Sequence, residues 1–167
     1  GILLLINRPF KRGDQIIVQD FEGTVEHIQS RATLIRTYDG RRVIIPNSDI
    51  YTSPVTVNTA YDARRSQYDV GIGYGDDPAE VCRILIEALG QVEGVEADPK
   101  PEALPWALDD SFVTIRLRWW TDSKRTNVAH TQARVIQAVY DAAKHHAIDL
   151  PYPTTVMLFP DQTEDAD

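Results

Sequence analysis

Thr33-Leu34-Ile35-Arg36-Thr37-Tyr38-Asp39-Gly40 runs directly into Arg41-Arg42-Val43-Ile44-Ile45-Pro46-Asn47-Ser48. Two β-rich runs flank Asp39-Gly40. An Asp-Gly pair in that setting predicts a hairpin with a type I′ turn, whose two central residues both need positive φ. Pro46 ends the second strand because proline cannot donate to a ladder. Asn47 can then bond locally in the turn that follows. Toward the N-terminus, Thr24–Ile28 follows Gly23, and Gln15–Val18 follows the turn pair Gly13-Asp14. Toward the C-terminus, Val55–Asn58 reads as one more strand. Turn signals about every 8–12 residues predict a small barrel or sandwich. Between Lys11 and Tyr61 the only helical signal is a short turn near Ser48–Tyr51.

Tyr61-Asp62-Ala63-Arg64-Arg65-Ser66 reads as a polar linker, and the pattern changes after it. Tyr68, Val70, Ile72 and Tyr74 alternate with Asp69, Gly71 and Gly73, the period of a strand. The glycines there would let another group pack closely on the sheet. Asp76-Asp77-Pro78 opens a helix with an acidic cap and an early proline. Residues 91–110 read as loop plus one poor strand. Val113, Ile115, Leu117 and Trp119 alternate with Arg116, Arg118 and Trp120, a strong strand. A helix is expected from Thr126 to about His146, then an extended Asp149–Pro153 connector and a last strand at Thr155–Phe159. The order β-α-(β)-β-α-β predicts a ferredoxin-like α+β layer. Trp120, beside two arginines on the face away from the core, reads as a protein–protein anchor.

The chain has 167 residues, 43% hydrophobic and 25% charged, as in ordinary globular proteins. Its single cysteine, Cys82, excludes an internal disulfide and offers no metal framework. His27, His130, His145 and His146 have no metal-binding spacing, no Gly-x-Ser-x-Gly turn occurs, and Gly71–Gly75 lacks the Lys-Ser/Thr of a phosphate loop. No enzyme, metal or cofactor is therefore expected. The charge is uneven: residues 1–60 carry a net +1 and residues 61–167 a net −9. An acidic second half does not suit a nucleic-acid surface. The apolar run Gly1–Ile6 is far shorter than the ~20 residues of a spanning helix. Its abrupt start suggests a chain cut from a longer one, the alternative being a native N-terminal core element.

Several stretches together resemble the MscS family of mechanosensitive channels. They are Arg8-Pro9-Phe10-Lys11-Arg12-Gly13-Asp14, Phe21-Glu22-Gly23-Thr24-Val25-Glu26-His27-Ile28, the Thr33–Gly40 and Val43–Ser48 runs, Asn58, and Pro151-Tyr152-Pro153. The signature positions are Pro9, Gly13, Asp14, Gly23, Gly40, Pro46, Asn47 and Asn58. The resemblance implies a pore-helix remnant over 1–10, an Sm-like β domain over 11–60, a linker over 61–67, a ferredoxin-like α/β domain over 68–160 and an acidic tail over 161–167. It implies a homoheptameric cytoplasmic cage under a pore in the bacterial inner membrane, attached through N-terminal helices not in this chain. Ions and small solutes would pass side portals, with Arg64 and Arg65 as candidate portal residues. Trp120, Val156 and Leu158 are candidate subunit contacts. The channel would open under tension and release solutes on osmotic downshock. The rival reading is a soluble oligomeric binding module with no channel role.

Overall fold

The computed structural model describes residues 9–153. Most of the expected pore-helix remnant, the last strand with Val156 and Leu158, and the acidic tail lie outside the described residues. Two sheets form, each with its own core.

The first sheet is built from β1 (Gln15–Val18), β2 (Phe21–Ile28), β3 (Ala32–Arg36), β4 (Arg42–Pro46) and β5 (Val55–Val57), in the order β4-β3-β2-β1-β5. Every neighbouring pair is antiparallel. Alternation puts Ile16, Val18, Val25, Ile35 and Ile45 inside with Phe10 and with Ile50 of the short helix α1 (Asn47–Thr52). A bulge between Val25 and His27 bends β2, which curls so small a sheet over its core.

The hairpin forms, but not with the expected turn. Among its loop residues only Gly40 has positive φ, at +87°. Gly40 N–H donates to the Thr37 carbonyl at 3.0 Å and Thr37 N–H to the Arg41 carbonyl at 2.8 Å. The loop is therefore wider than two residues. The Thr37 hydroxyl, which accepts from Arg41 N–H at 2.8 Å, and Asp39, which accepts from that hydroxyl at 2.5 Å, close it instead.

Asn47 also departs from expectation. Its bonds are not local. Its Oδ1 accepts from the Thr33 hydroxyl at 2.8 Å, its Nδ2 donates to the Gln29 carbonyl at 2.8 Å, and its backbone N–H donates to the Arg31 carbonyl at 2.9 Å. Pro46 both ends β4 and caps α1, so Asn47 enters the helix pointing back under the β2–β3 turn.

The second sheet has the order β6-β8-β7, from β6 (Ala63–Ile72), β7 (Glu102–Leu108) and β8 (Val113–Asp122). Helices α2 (Pro78–Gly90) and α3 (Arg125–His145) cover one face. The order and all-antiparallel pairing are those of a ferredoxin-like layer, and the chain as a whole is α+β. Asp77 caps α2 as expected, its Oδ1 accepting from Ala79 N–H at 3.1 Å. Gly71 admits the Phe112 ring, whose carbons lie 2.9 Å from where a Cβ would sit.

Two expectations are corrected here. The 61–67 linker is too long, because β6 begins at Ala63. Its polar half, Arg64–Gln67, is held by backbone pairing to Trp119–Thr121 and Arg118 of β8 rather than by its own hydrophobicity. The poor strand expected within 91–110 is a full one, β7, whose Pro105 is tolerated on what is, among the described residues, an edge beside a bulge.

Asn47→Ala would leave the buried Thr33 hydroxyl and the part-buried Gln29 carbonyl without their partner, a loss of about 1–3 kcal/mol. Urea titration of the chain should show a lower midpoint for the transition of the first domain, with an unchanged slope. A midpoint within error of wild type would mean that this anchor is dispensable.

Candidate functional site at the domain junction

The connector between the two sheets is the stretch that brings the candidate residues together. Asn58 N–H donates to the Gln15 carbonyl at 2.8 Å, and Ser123 N–H donates to the Asp62 carbonyl at 2.9 Å, so each end is tied to one domain. Asp14 organises the base of the β domain. Its carboxylate accepts from Lys11 N–H at 2.8 Å and from the Thr59 hydroxyl at 2.8 Å, while Thr59 in turn accepts from Gln15 N–H at 3.0 Å. Gly13 N–H reaches the Val25 carbonyl at 2.9 Å, and Gly23 lies so close to the Arg36 carbonyl that a side chain there would clash. Pro9 is exposed at the N-terminal edge of the described chain.

Arg64 and Arg65 are not a pair of linker residues. Neighbours on a strand point to opposite faces. Arg65 is exposed and shares the face of its ladder partner Trp120, whereas Arg64 is half-buried on the face of Thr121. Arg64 Nη1 and Asn58 Nδ2 are buried and have no hydrogen-bond partner among the described residues.

Arg64 acts electrostatically on Tyr38, the hairpin residue that reaches the junction. The Arg125 guanidinium lies 5.7 Å from the Tyr38 ring centroid, and Arg125 N–H donates to Gln15 Oε1 at 2.6 Å. The Tyr38 hydroxyl donates to Glu22 Oε1 at 3.4 Å. Neither Tyr38 nor Arg125 was singled out as a site residue from sequence. Their encounter bridges 87 residues of chain and leaves no local pattern.

The expected anchor Trp120 is half-buried, and its carbonyl accepts from Glu96 N–H at 2.8 Å. The aromatic that stands out on that face is Trp106, 48% exposed, with the Arg116 guanidinium 3.9 Å and that of Arg118 5.1 Å from its ring centroid. Asp69 grips Arg116 through two bonds of 2.8 and 2.9 Å, and the bond to Arg116 holds the Asp69 carboxyl below the usual carboxylate range. These arginines are thus already engaged by protein groups. Among the described residues no three His, Cys, Asp or Glu side chains converge as metal ligands, and no helix is long and apolar enough to cross a membrane.

Burial, and then the charge of Glu22 and its bond, push Tyr38 up to about 12 against the opposing pull of Arg125 and Arg64. The folded state therefore favours the neutral phenol. Its stabilisation is complete below the ordinary tyrosine value near 10 and is lost as pH rises through about 12. The ultraviolet titration of wild type minus that of Tyr38→Phe should show one phenol with a midpoint near 12. A difference curve centred near 10 would place Tyr38 in open solvent.

Two family models match this chain consecutively. One, described as the mechanosensitive ion channel β-domain, covers residues 1–59, and the other, described as mechanosensitive ion channel MscS, C-terminal, covers residues 67–150. An uncharacterised MscS family protein of Archaeoglobus fulgidus is 33% identical over 159 residues, covering 95% of this chain and 56% of the relative. The mechanosensitive channel MscK of Escherichia coli is 32% identical over 126 residues, 75% of this chain and 11% of the relative. The crystal structure of Helicobacter pylori MscS in its closed state superposes with a TM-score of 0.88 at 24% identity, over 96% of this chain and 63% of that one, a likeness of fold. The chain spans about half the length of the two full-coverage curated relatives, from Archaeoglobus and Synechocystis. With both domain models matched in order along one chain, this protein belongs to the MscS family of mechanosensitive channels.

Proposed function

We propose that this chain is the cytoplasmic vestibule of a tension-gated channel of the cell membrane, working as a conduit for ions and small solutes and not as a catalyst. The observation that carries this reading is the match of both domains, in the same order, to the two channel-domain families. The domains of the protein are then the β domain, a short connector and the α/β domain.

Ring assembly is part of the proposal, with seven copies. Its support is the first sheet, whose outer strands β4 and β5 are unpaired on one side among the described residues. An open edge invites pairing with another chain. Two different edges at opposite sides of one sheet suit a head-to-tail contact, and such contacts close into rings when the rotation allows. Ile44, 64% exposed on β4, would be covered by such a neighbour. Trp120, Val156 and Leu158 stay proposed as further subunit contacts.

The net charge of −8 per chain, concentrated after residue 60, favours cations in a vestibule built from several copies. Screening confines this to charges within about 8–10 Å of the path. Arg64 and Arg65 face opposite ways, so the exposed Arg65 is the one that would act on passing ions.

The full-length channel should protect channel-deficient bacteria from osmotic downshock and open in membrane patches under suction. Chemical cross-linking should give a ladder ending at seven. Failure on both counts would leave the soluble-module reading. In patches across a salt gradient, the reversal potential should show a modest cation preference. Arg65→Glu should shift it further toward cations than Arg64→Glu does. Equal shifts, or strong anion selectivity in the wild type, would contradict the assignment of Arg65.

A further inference from the structure

Among the described residues the two hydrophobic cores share no residue, and no strand or helix of one domain packs extensively against an element of the other. Domains joined through such a junction move relative to one another by default. Residues 58–62, between β5 and β6, would be the hinge. Yet side chains from both domains meet beside it. Gln15, Glu22 and Tyr38 come from the β domain, and Arg125 from the α/β domain.

We propose that Tyr38 and Arg125 form a clasp that biases the α/β domain toward one orientation on the β domain. The geometry is specific. Arg125 is the first residue of α3, so its backbone amide lies outside the helix ladder and is free to reach Gln15 Oε1. The same residue sends its guanidinium to the Tyr38 ring. One residue thus grips β1 by its backbone and the β3–β4 loop by its side chain. Tyr38 is held in turn by Glu22 of β2, which restricts where the ring can go. Arg125 itself is solvent-exposed and lies outside both cores. Its substitution should therefore alter domain orientation without unfolding either domain.

The clasp is weak enough to release. A solvent-exposed cation–π contact changes a two-state ratio by about two- to fivefold. It biases the junction and does not lock it. Its bearing on permeation rests on the channel reading above, since the width of any opening beside Arg65 would follow the domain angle. The clasp itself is a property of this chain alone.

Nitroxide labels on the exposed positions Ser48→Cys and Gln137→Cys, in a Cys82→Ala background, report the distance between the domains. Labelled chain should be diluted with unlabelled chain, so that only distances within one chain are read. Double electron–electron resonance should give one narrow distance for wild type. Arg125→Gln and Tyr38→Leu should each broaden it and raise the displaced fraction about two- to fivefold, with melting temperatures unchanged. Arg125→Lys and Tyr38→Phe, which keep a cation over a ring, should restore the narrow distribution. A broad wild-type distribution, or identical distributions for wild type and Arg125→Gln, would overturn the clasp. Neither result depends on whether the full-length protein conducts ions.

Discussion

The ladder between β6 and β8 is the constraint on which the second domain and the junction depend. It runs without a break from Ala63–Asp122 to Ile72–Val113. One end is apolar and belongs to the core, where Val70, Ile72, Val113 and Ile115 pack under α2 and α3. The other end is polar and reaches the β domain. The apolar end fixes the register, because a slip of one residue would turn Ile72 and Val70 to solvent. The polar end inherits that register. Arg64 therefore faces inward and Arg65 outward without either residue having specified it.

That inheritance explains how far the sequence could be read. Where a segment is stabilised by its own side chains, its pattern is visible: β8 alternates cleanly, Asp77-Pro78 announces α2, and the Thr33–Pro46 runs announce a hairpin. Where a segment is stabilised by its partner, the pattern is silent. Ala63–Gln67 looks like linker because its order comes from the β8 backbone. β7 looks like loop because Pro105 and a bulge interrupt it, while β8 alongside holds it in the sheet. The Asp39-Gly40 pair located a turn but misjudged its type, since the Thr37 hydroxyl and Asp39 carboxylate compete for the loop backbone. Asn47 reads from sequence as a turn residue that bonds locally. Its partners Thr33 and Gln29 lie 14 and 18 residues away, beyond any local rule.

The junction is the least legible region for the same reason. Tyr38 and Arg125 belong to separate domains, and each reads as an ordinary surface residue. Family resemblance located the fold and the order of domains, because those are encoded by local turn chemistry and alternation. It carried no information on which face each linker arginine would take. The alternation of β8 put Trp120 on the outer face, where it is half-buried while Trp106 is exposed, since a strand pattern gives the face of a residue and not what covers it. Trp106 lies in the strand that the pattern marked only as a poor one.

The strand pairings have a consequence for synthesis. All five strands of the β domain lie between residues 15 and 57, and every pair but one joins neighbours in sequence. Once Val57 has left the ribosome, β5 can close on β1 and the domain is complete. β6 emerges next, but among the described residues it pairs only with β8, which is not finished until Asp122. For about fifty residues of translation, or some 3–10 s at ordinary synthesis rates, β6 is an unpartnered strand tethered to a finished domain. Its polar first half is Arg64-Arg65-Ser66-Gln67, and charge at an open edge is what keeps a waiting strand from pairing with its neighbours on a crowded polysome.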